Sequence, residues 1–154
     1  MSRTVEAPER LVGTTGMSTF RVAPEHTTTV FGKQDIPPGR PAAADATTEE
    51  TVSVLGTGHL LSRVEFTGRE SLNGEIPSGM GVVGQRVTVD HAGPAVVGTE
   101  LQVTTDVTAV DGASITYDGR VVTTERDREV GTAEVVLCLV ERDRFRAAID
   151  GRNC

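Results

Sequence analysis

The sequence predicts an α+β domain in which a curved antiparallel sheet of about five strands wraps around one central helix. Two observations lead to this prediction. A single stretch, from about Thr57 to Leu72, has apolar residues at the three- and four-residue spacing of a helix. From about residue 80 to about residue 140, apolar and polar residues instead alternate, which is the period of strands that bury one face.

At 154 residues the chain has the usual size of one domain. The first residues are polar and aperiodic, so we expect a flexible tail over 1–16, one domain over 17–148 and a short tail over 149–154. A first strand candidate covers about Ser18–Val22 and continues after Pro24 through Thr27–Phe31. Residues 35–45 are too rich in proline and alanine for a strand, and we interpret them as a long loop of the kind that often serves as a lid.

The alternating region divides into strands at residues that favour turns, among them Gly93-Pro94, Asp111-Gly112 and the segment 126–128. The four predicted strands are Val82–His91, Glu100–Val110, Ser114–Thr124 and Glu129–Val140. Connections this short join antiparallel neighbours. A central helix enclosed by such a sheet is the hotdog architecture.

Charge and composition argue against several kinds of partner and site. A net charge of −7 without a basic stripe argues against nucleic acid and anionic membranes, so we expect a small-molecule or protein partner. No apolar run reaches the roughly 18 residues of a spanning helix, and the first residues lack the apolar stretch of a signal peptide, which predicts a cytoplasmic protein. Cys138, Cys154, His26 and His59 have no disulfide or metal-ligand pattern, so we expect no metal and no cofactor.

The first candidate for chemistry is Glu65. Thr57, Leu61, Glu65 and Arg69 recur every four residues and must lie along one edge of the helix, beside its apolar face. A carboxylate in that position costs free energy unless it is paired or hydrogen-bonded. The alternative is a structural glutamate that extends to solvent or pairs with Arg69.

The second candidate is His91, at the end of the first strand of the meander. Strict alternation gives one strand face composed of Val83, Gln85, Val87, Val89 and His91. Gly84 falls on the other face. The more apolar face should meet the helix, so His91 would point toward Glu65, and an imidazole oriented by a carboxylate is an effective general base. The alternative is a core histidine bonded to a backbone carbonyl, or a residue of the following turn.

The third candidate is Thr57, which lies between Gly56 and Gly58 where the helix begins. Free amide N–H groups at a helix start can hold a carbonyl oxygen or an oxyanion. The Thr57 hydroxyl belongs either to such a site or to an N-cap of the helix.

With these three residues the chain resembles the fluoroacetyl-CoA thioesterase family of hotdog proteins. In that family a threonine ahead of the helix, a glutamate eight positions later and a histidine 26 positions beyond it form the catalytic set, and the same spacing joins Thr57, Glu65 and His91. Further similarity includes Gly84 and the segments 23–27, 94–98, 131–132 and 141–145, so the resemblance spans about residues 18–146.

The resemblance implies an acyl thioesterase that hydrolyses a CoA or carrier-protein thioester. Glu65 and His91 would activate either Thr57, which then forms an acyl-enzyme, or a water molecule. Amides near Thr57 and Gly58 would stabilise the oxyanion, and we expect Gly58, Leu61 and Gly84 to contact the substrate. The family also implies a side-by-side homodimer whose active sites use both subunits.

The sequence departs from the family in two places. Residues 46–54, ahead of Thr57, contain no aromatic lid residue, so fluoroacetyl-CoA is not the expected substrate. Where the family often has Gly-Thr-His-x-Arg in its last strand, the chain has Gly131-Thr132-Ala133-Glu134-Val135, which removes two polar groups.

Two other functions therefore stay open. One is a dehydratase or cyclase-type enzyme that acts on a β-hydroxy carbonyl or a polyketide-like molecule, and the other is a non-catalytic small-molecule binding protein. Hotdog dehydratases usually have their histidine ahead of the helix that bears the acid. Here Glu65 precedes His91, which favours the thioesterase.

Overall fold

The structure is a computed structural model that describes residues 5–39, 43 and 45–151. Its elements are β1 (Thr15–Arg21), β2 (Thr27–Val30), β3 (Val52–Leu55), α1 (Thr57–Ser71), β4 (Met80–His91), β5 (Glu100–Asp111), β6 (Ser114–Thr123), β7 (Glu129–Glu141) and α2 (Arg142–Asp150). Five strands form one antiparallel sheet in the order β1-β5-β6-β7-β4, and β2 pairs with β3 in a small second sheet. The prediction of a hotdog fold is confirmed.

The helix α1 packs on the sheet through one apolar stripe. Leu60 and Val64 are fully buried, and Gly68 lies one turn further along the same stripe. A Cβ atom on Gly68 would overlap the ring of Tyr117, and one on Gly119 would overlap Val64, so glycine at these two positions lets helix and strand approach closely. This close contact fixes the height of α1 above the sheet.

The two flanks of α1 face opposite edges of the sheet. On one flank Thr67 Oγ1 lies 2.7 Å from Ser18 Oγ of the edge strand β1. On the other flank Arg69 donates to the Val82 carbonyl of the edge strand β4, at 3.2 Å. Since Thr57, Leu61 and Glu65 share the flank of Arg69, they lie toward β4.

The face pattern expected for β4 is wrong because the strand contains a bulge. Its pairing with β7 shifts register between Gly84 and Arg86, so one residue is inserted at Gln85. Gly84 pairs with Leu137 and His91 with Gly131, positions on β7 an even number of residues apart. Gly84 and His91 therefore lie on the same face of the sheet, the one toward α1, and Val83 lies on the other.

Both chain ends differ from the flexible tails expected over 1–16 and 149–154. Ala7 donates its N–H to the Gly112 carbonyl, and Leu11 is fully buried in the core, because the segment before β1 closes the end of the β5–β6 hairpin. At the other end α2 continues to Asp150. Residues 1–4 and 152–154 lie outside the described residues.

The small β2–β3 sheet corrects the expectation of one first strand that continues past Pro24, because its two segments lie in different sheets. β1 and β2 are not neighbours, and the partner of β2 is β3, a strand that the sequence analysis did not predict. Within the predicted loop over 35–45, residues 35–38 form a turn closed by hydrogen bonds between Gln34 and Gly39, while residues 40–42 and 44 lie outside the described residues. The chain then passes from β3 directly into α1.

Candidate active site

Thr57 and His91 form the centre of the candidate site. Thr57 is the first residue of α1 and His91 the last residue of β4, so helix and strand bring the two side chains together at one edge of the sheet. Thr57 Oγ1 lies 2.8 Å from His91 Nδ1, at hydrogen-bonding distance. With the ring proton on Nε2, Nδ1 accepts the hydroxyl proton, which is the arrangement that a general base requires.

The start of α1 also presents free amide groups. The N-cap of α1 is Gly56 rather than Thr57, and no side chain caps the start of the helix. The Thr57 hydroxyl is therefore not used as a cap. The Gly56 N–H donates to the His26 carbonyl at 3.0 Å, whereas the N–H groups of Thr57 and Gly58 have no acceptor among the described residues. Both residues are exposed, so two unpaired N–H donors lie beside the Thr57 hydroxyl.

Glu65 lies over the middle of β4. Its side chain is 22% exposed, and Oε1 lies 4.0 Å from Arg69 Nη1. A Cβ atom on Gly84 would lie 2.7 Å from the same carboxylate oxygen, so the carboxylate covers the α-carbon of Gly84. Glycine at this position leaves the room that the carboxylate occupies.

Within the chain the candidate site has two separate parts. Glu65 follows Thr57 by eight positions in the helix, which corresponds to about 12 Å along the helix axis. No hydrogen bond or ion pair joins the Glu65 carboxylate to Thr57 or His91 in the part of the chain that the structure describes. The Thr57–His91 pair and the Glu65–Gly84 pair thus lie at different points along the same edge.

Tyr117 of β6 makes a hydrogen bond to the backbone of α1 at Glu65. This residue is fully buried, and its hydroxyl donates to the Glu65 carbonyl oxygen at 2.6 Å. Burial raises the pKa of the Tyr117 hydroxyl well above its usual value, and the nearby Glu65 charge acts in the same direction. Tyr117 therefore stays a neutral donor at any physiological pH. Tyr117 is the only tyrosine in the chain, but nothing in the sequence indicated that its hydroxyl bonds to the helix backbone.

The sequence analysis also missed a stacked histidine pair at the start of α1. The rings of His26 and His59 lie 4.0 Å apart and nearly parallel, and Arg63 donates to His59 Nε2 at 3.0 Å. Burial, with the nearby His26 and Arg63, lowers the pKa of His59 to about 4. The pair joins the turn that precedes β2 to the first turn of α1, and the four-residue spacing of His59 and Arg63 was its only signal in the sequence.

The remaining predicted contact residues lie along the same edge. Leu61 is half-buried on the flank of α1 that faces β4, and a Cβ atom on Gly58 would meet nothing within 4 Å, so the space above the helix start is open. His91 Nε2 is buried and has no hydrogen-bond partner in the described part of the chain.

No group of three or more His, Cys, Asp or Glu side chains that could hold a metal ion occurs among the described residues. Within those same residues, no helix combines the length and apolar character needed to cross a membrane.

A family model agrees with the resemblance seen in the sequence. The model of the fluoroacetyl-CoA-specific thioesterases, named FlK, matches residues 40–143. The chain belongs to this family. The matched segment contains Thr57, Glu65 and His91, and membership in the FlK family assigns the chain to the thioesterases in general.

Solved structures share the fold of this FlK-family chain. A thioesterase superfamily member from Thermus thermophilus superposes with a TM-score of 0.74 at 16% identity, covering 92% of each chain. The fluoroacetyl-CoA thioesterase FlK gives a TM-score of 0.71 at 20% identity, covering 91% of this chain and 95% of that one. The PaaI protein of E. coli gives 0.58 at 15% identity, covering 83% of this chain and 74% of its own. No curated protein sequence matches the chain.

Proposed function

We propose that the protein hydrolyses an acyl thioester and that Thr57, His91 and Glu65 carry the reaction. The observation that supports this most directly is the contact of 2.8 Å between Thr57 Oγ1 and His91 Nδ1. A hydroxyl bonded to an imidazole is the arrangement of an activated nucleophile or of a positioned water. Dehydration of a β-hydroxy carbonyl requires no such hydroxyl, so this contact favours hydrolysis.

In the proposed reaction His91 Nδ1 takes the proton of the attacking oxygen. If the Thr57 oxygen attacks, the thioester carbonyl becomes tetrahedral, the C–S bond breaks, and the imidazolium returns its proton to the thiolate. Water then hydrolyses the acyl-threonine with His91 again as the base. If water attacks directly, Thr57 Oγ1 holds it beside His91 and the same proton transfers release acid and thiol.

The free N–H groups of Thr57 and Gly58 would stabilise the oxyanion. They are the first two amides of α1 and have no acceptor among the described residues, so no existing bond must break when they donate. The partial positive charge of a helix N-terminus adds to this stabilisation. Gly58, Leu61 and Gly84 would line the path of the substrate along the edge of the sheet.

Glu65 would act on the Thr57–His91 pair of the second subunit of a homodimer. β4 is a 12-residue edge strand with no fully buried residue, and such an edge is a template for pairing with a second strand. An antiparallel pairing of two β4 strands about a twofold axis between Val87 and Thr88 would set Gly84 opposite His91 of the partner subunit. The carboxylate above Gly84 would then lie beside the partner's Thr57 and the partner's His91.

Mixing two inactive variants tests this arrangement. Glu65→Gln supplies an intact Thr57–His91 pair and His91→Ala supplies an intact Glu65, so each homodimer is inactive. After co-refolding, half of the dimers are mixed and each contains one complete site, which should restore about a quarter of the wild-type activity. If Glu65 acts within its own protomer, mixing restores nothing.

Release of free thiol from a series of acyl-CoAs tests the reaction itself. Acetyl-, isobutyryl-, octanoyl- and phenylacetyl-CoA cover short, branched, long and aromatic acyl groups. Turnover of at least one ester should fall by at least about a hundredfold in His91→Ala, since general-base catalysis contributes that much or more. Hydrolysis no faster than background for every ester would contradict the proposal, and so would turnover untouched by His91→Ala.

The two routes of attack differ in their dependence on Thr57. Attack by the threonine oxygen predicts that Thr57→Val, which keeps the shape of the side chain, abolishes turnover and that Thr57→Ser retains it. Direct attack by water predicts that Thr57→Val lowers turnover only in part. Trapping of an acyl group on residue 57 by mass spectrometry distinguishes the two routes.

A further inference from the structure

A cluster of four side chains lies beside the start of α1. It joins three segments, because Phe20 belongs to β1, His26 to the turn before β2, and His59 and Arg63 to the first two turns of α1. The His26 and His59 rings stack at 4.0 Å with an angle of 12° between their planes. The Phe20 ring meets each of them edge-on, at 5.8 and 5.7 Å, and the Arg63 guanidinium lies 4.2 Å above that ring. The reaction proposed above uses none of these four side chains.

Both rings of this histidine stack, His26 and His59, accept a hydrogen bond. His26 Nδ1 accepts from the backbone N–H of Ala23 at 3.0 Å, and His59 Nε2 accepts from Arg63 Nε at 3.0 Å. An imidazole nitrogen that accepts carries no proton, whereas both nitrogens of an imidazolium are donors. Protonation of His59 would therefore break the bond to Arg63 and set a second N–H donor against the guanidinium.

The surroundings of His59 oppose its protonation. Burial lowers the pKa of His59 to about 4, and the charges of His26 and Arg63 act in the same direction. Glu25, on the turn that carries His26, acts the other way, and β1 contributes the uncharged Phe20 ring. His59 is therefore neutral at physiological pH, and a positive charge at this residue is the change that would open the stack.

His26 holds the start of α1 at two points. Its carbonyl oxygen accepts from the N–H of Gly56, the N-cap, at 3.0 Å, and its ring stacks on His59. Thr57 lies between these two points in the chain, and its Oγ1 is 2.8 Å from His91 Nδ1. A displacement of the turn at His26 would therefore reach the Thr57 hydroxyl and the free amides of the helix start through both contacts.

We propose that the histidine stack positions Thr57 for reaction and releases the start of α1 when His59 takes up a proton. This inference rests on the proposed function, which makes Thr57 and the first amides of α1 part of the reaction. Productive geometry tolerates about 0.5 Å, and a 1 Å displacement can cost a hundredfold in rate. His26 and His59 act as positioning residues, and acid should inactivate the site before the central strands unfold.

A fixed charge at residue 59 tests the positioning role at neutral pH. His59→Lys places an ammonium group beside Arg63, so kcat for the best ester should fall by about tenfold or more at little-changed KM. His59→Phe keeps a ring for the stack and cannot take up a proton, so it should recover most of that turnover. Asn73→Lys is the matched control, since it adds the same charge at an exposed position just beyond the other end of α1. It should keep the wild-type kcat.

Amide hydrogen exchange tests the same variants without any turnover. The Gly56 N–H bonds to the His26 carbonyl, so its protection reports whether the start of α1 is held. His59→Lys should lower that protection by about tenfold, the loss expected for one hydrogen bond. His59→Phe and Asn73→Lys should leave it near the wild-type value. Protection in the central strand β6 should stay the same in all three variants.

The pH dependence of the wild-type protein tests the release itself. In NMR spectra the Gly56 amide shift should change with a midpoint of about pH 4, where His59 takes up its proton, while the β6 amides keep their native shifts. That step should be absent from His59→Phe, whereas a step caused by His91 would remain in both proteins. A simultaneous loss of the native β6 shifts would mean global unfolding and would overturn the local release.

Other outcomes also decide the inference. Equal losses of kcat in His59→Lys and His59→Phe would overturn it, since the charge would not be the cause. Lost Gly56 protection at unchanged kcat would overturn it as well, and so would equal effects of His59→Lys and Asn73→Lys. Failure of the wild-type protein to hydrolyse any ester would contradict the proposed function. Gly56 protection that depends on the charge at residue 59 would, even then, support the stack as the anchor of the helix start.

Discussion

Replacement of Gly84 by alanine should displace the Glu65 carboxylate without damaging the fold. The added Cβ would lie 2.7 Å from Glu65 Oε1, whereas such contacts become ordinary at 3.4 Å, so the carboxylate must retreat by about 0.7 Å. The carboxylate is the far end of a flexible side chain and can move. Productive geometry tolerates about 0.5 Å, and a 1 Å displacement can cost a hundredfold in rate, so we expect kcat/KM to fall by about tenfold or more.

The Gly84→Ala variant should be at least as stable as the wild-type protein. Gly84 does not have a positive φ, so alanine fits its backbone, and the unfolding free energy should stay the same or rise by up to about 1 kcal/mol. The matched control is Gly81→Ala on the same strand, where a Cβ atom would make an ordinary contact of 3.4 Å with Arg142. Thiol-release kinetics, urea titration and sedimentation of both variants complete the experiment. Full activity of Gly84→Ala with an unchanged oligomeric state would refute a catalytic position for Glu65 above Gly84.

Tyr117→Phe removes the hydroxyl that donates to the helix backbone, and the unfolding free energy should fall by about 1 kcal/mol in urea titrations. The raised pKa of Tyr117 favours the neutral phenol in the folded state, so wild-type stability should decline as pH rises above about 10. A Tyr117→Phe variant with the same decline would contradict this. The lowered pKa of His59, about 4 against 6.5, favours the neutral ring, so stability should be full above pH 6.5 and fall toward pH 4. Thermal denaturation of His59→Leu should show a smaller loss over that range, and an identical loss would assign the effect to other groups. Gly68→Ala should destabilise the protein by about 2 kcal/mol or more, because the new Cβ overlaps the Tyr117 ring. Gly58→Ala, on the open side of the same helix, should not, and equal losses would exclude the ring contact as the cause.

The sequence predicted the elements whose periodicity is uninterrupted. Helix α1 spans Thr57–Ser71 against an expectation of about Thr57 to Leu72, because an apolar stripe and a following Asn-Gly define both its face and its end. The four strands of the meander have the expected positions for the same reason. The bulge at Gln85 could not be predicted, since it depends on the register with β7 and leaves no separate mark in the local pattern.

The candidate site could be predicted in part. The sequence predicted Thr57 at the start of the helix and His91 pointing toward Glu65, whereas the structure brings His91 within hydrogen-bonding distance of Thr57. It could not indicate the separation of Glu65 from that pair, because the periodicity of a helix gives the face of a residue but not what lies above it. The burial of Leu11 was missed for a related reason, since its neighbours in the core come from strands about 100 residues later in the chain.

The strand order of the main sheet has a consequence for biosynthesis. Its three central strands, β5, β6 and β7, are consecutive in the chain and form by local hairpins, whereas both edge strands, β1 and β4, precede them in the chain. During translation β1 and β4 therefore leave the ribosome before the strands with which they pair, and α1 leaves it before the central strands β5, β6 and β7. The apolar stripe of α1 cannot be fully buried until residues up to about 140 have been synthesised. Until the last hairpin forms, the nascent chain therefore exposes an apolar surface that chaperones can bind.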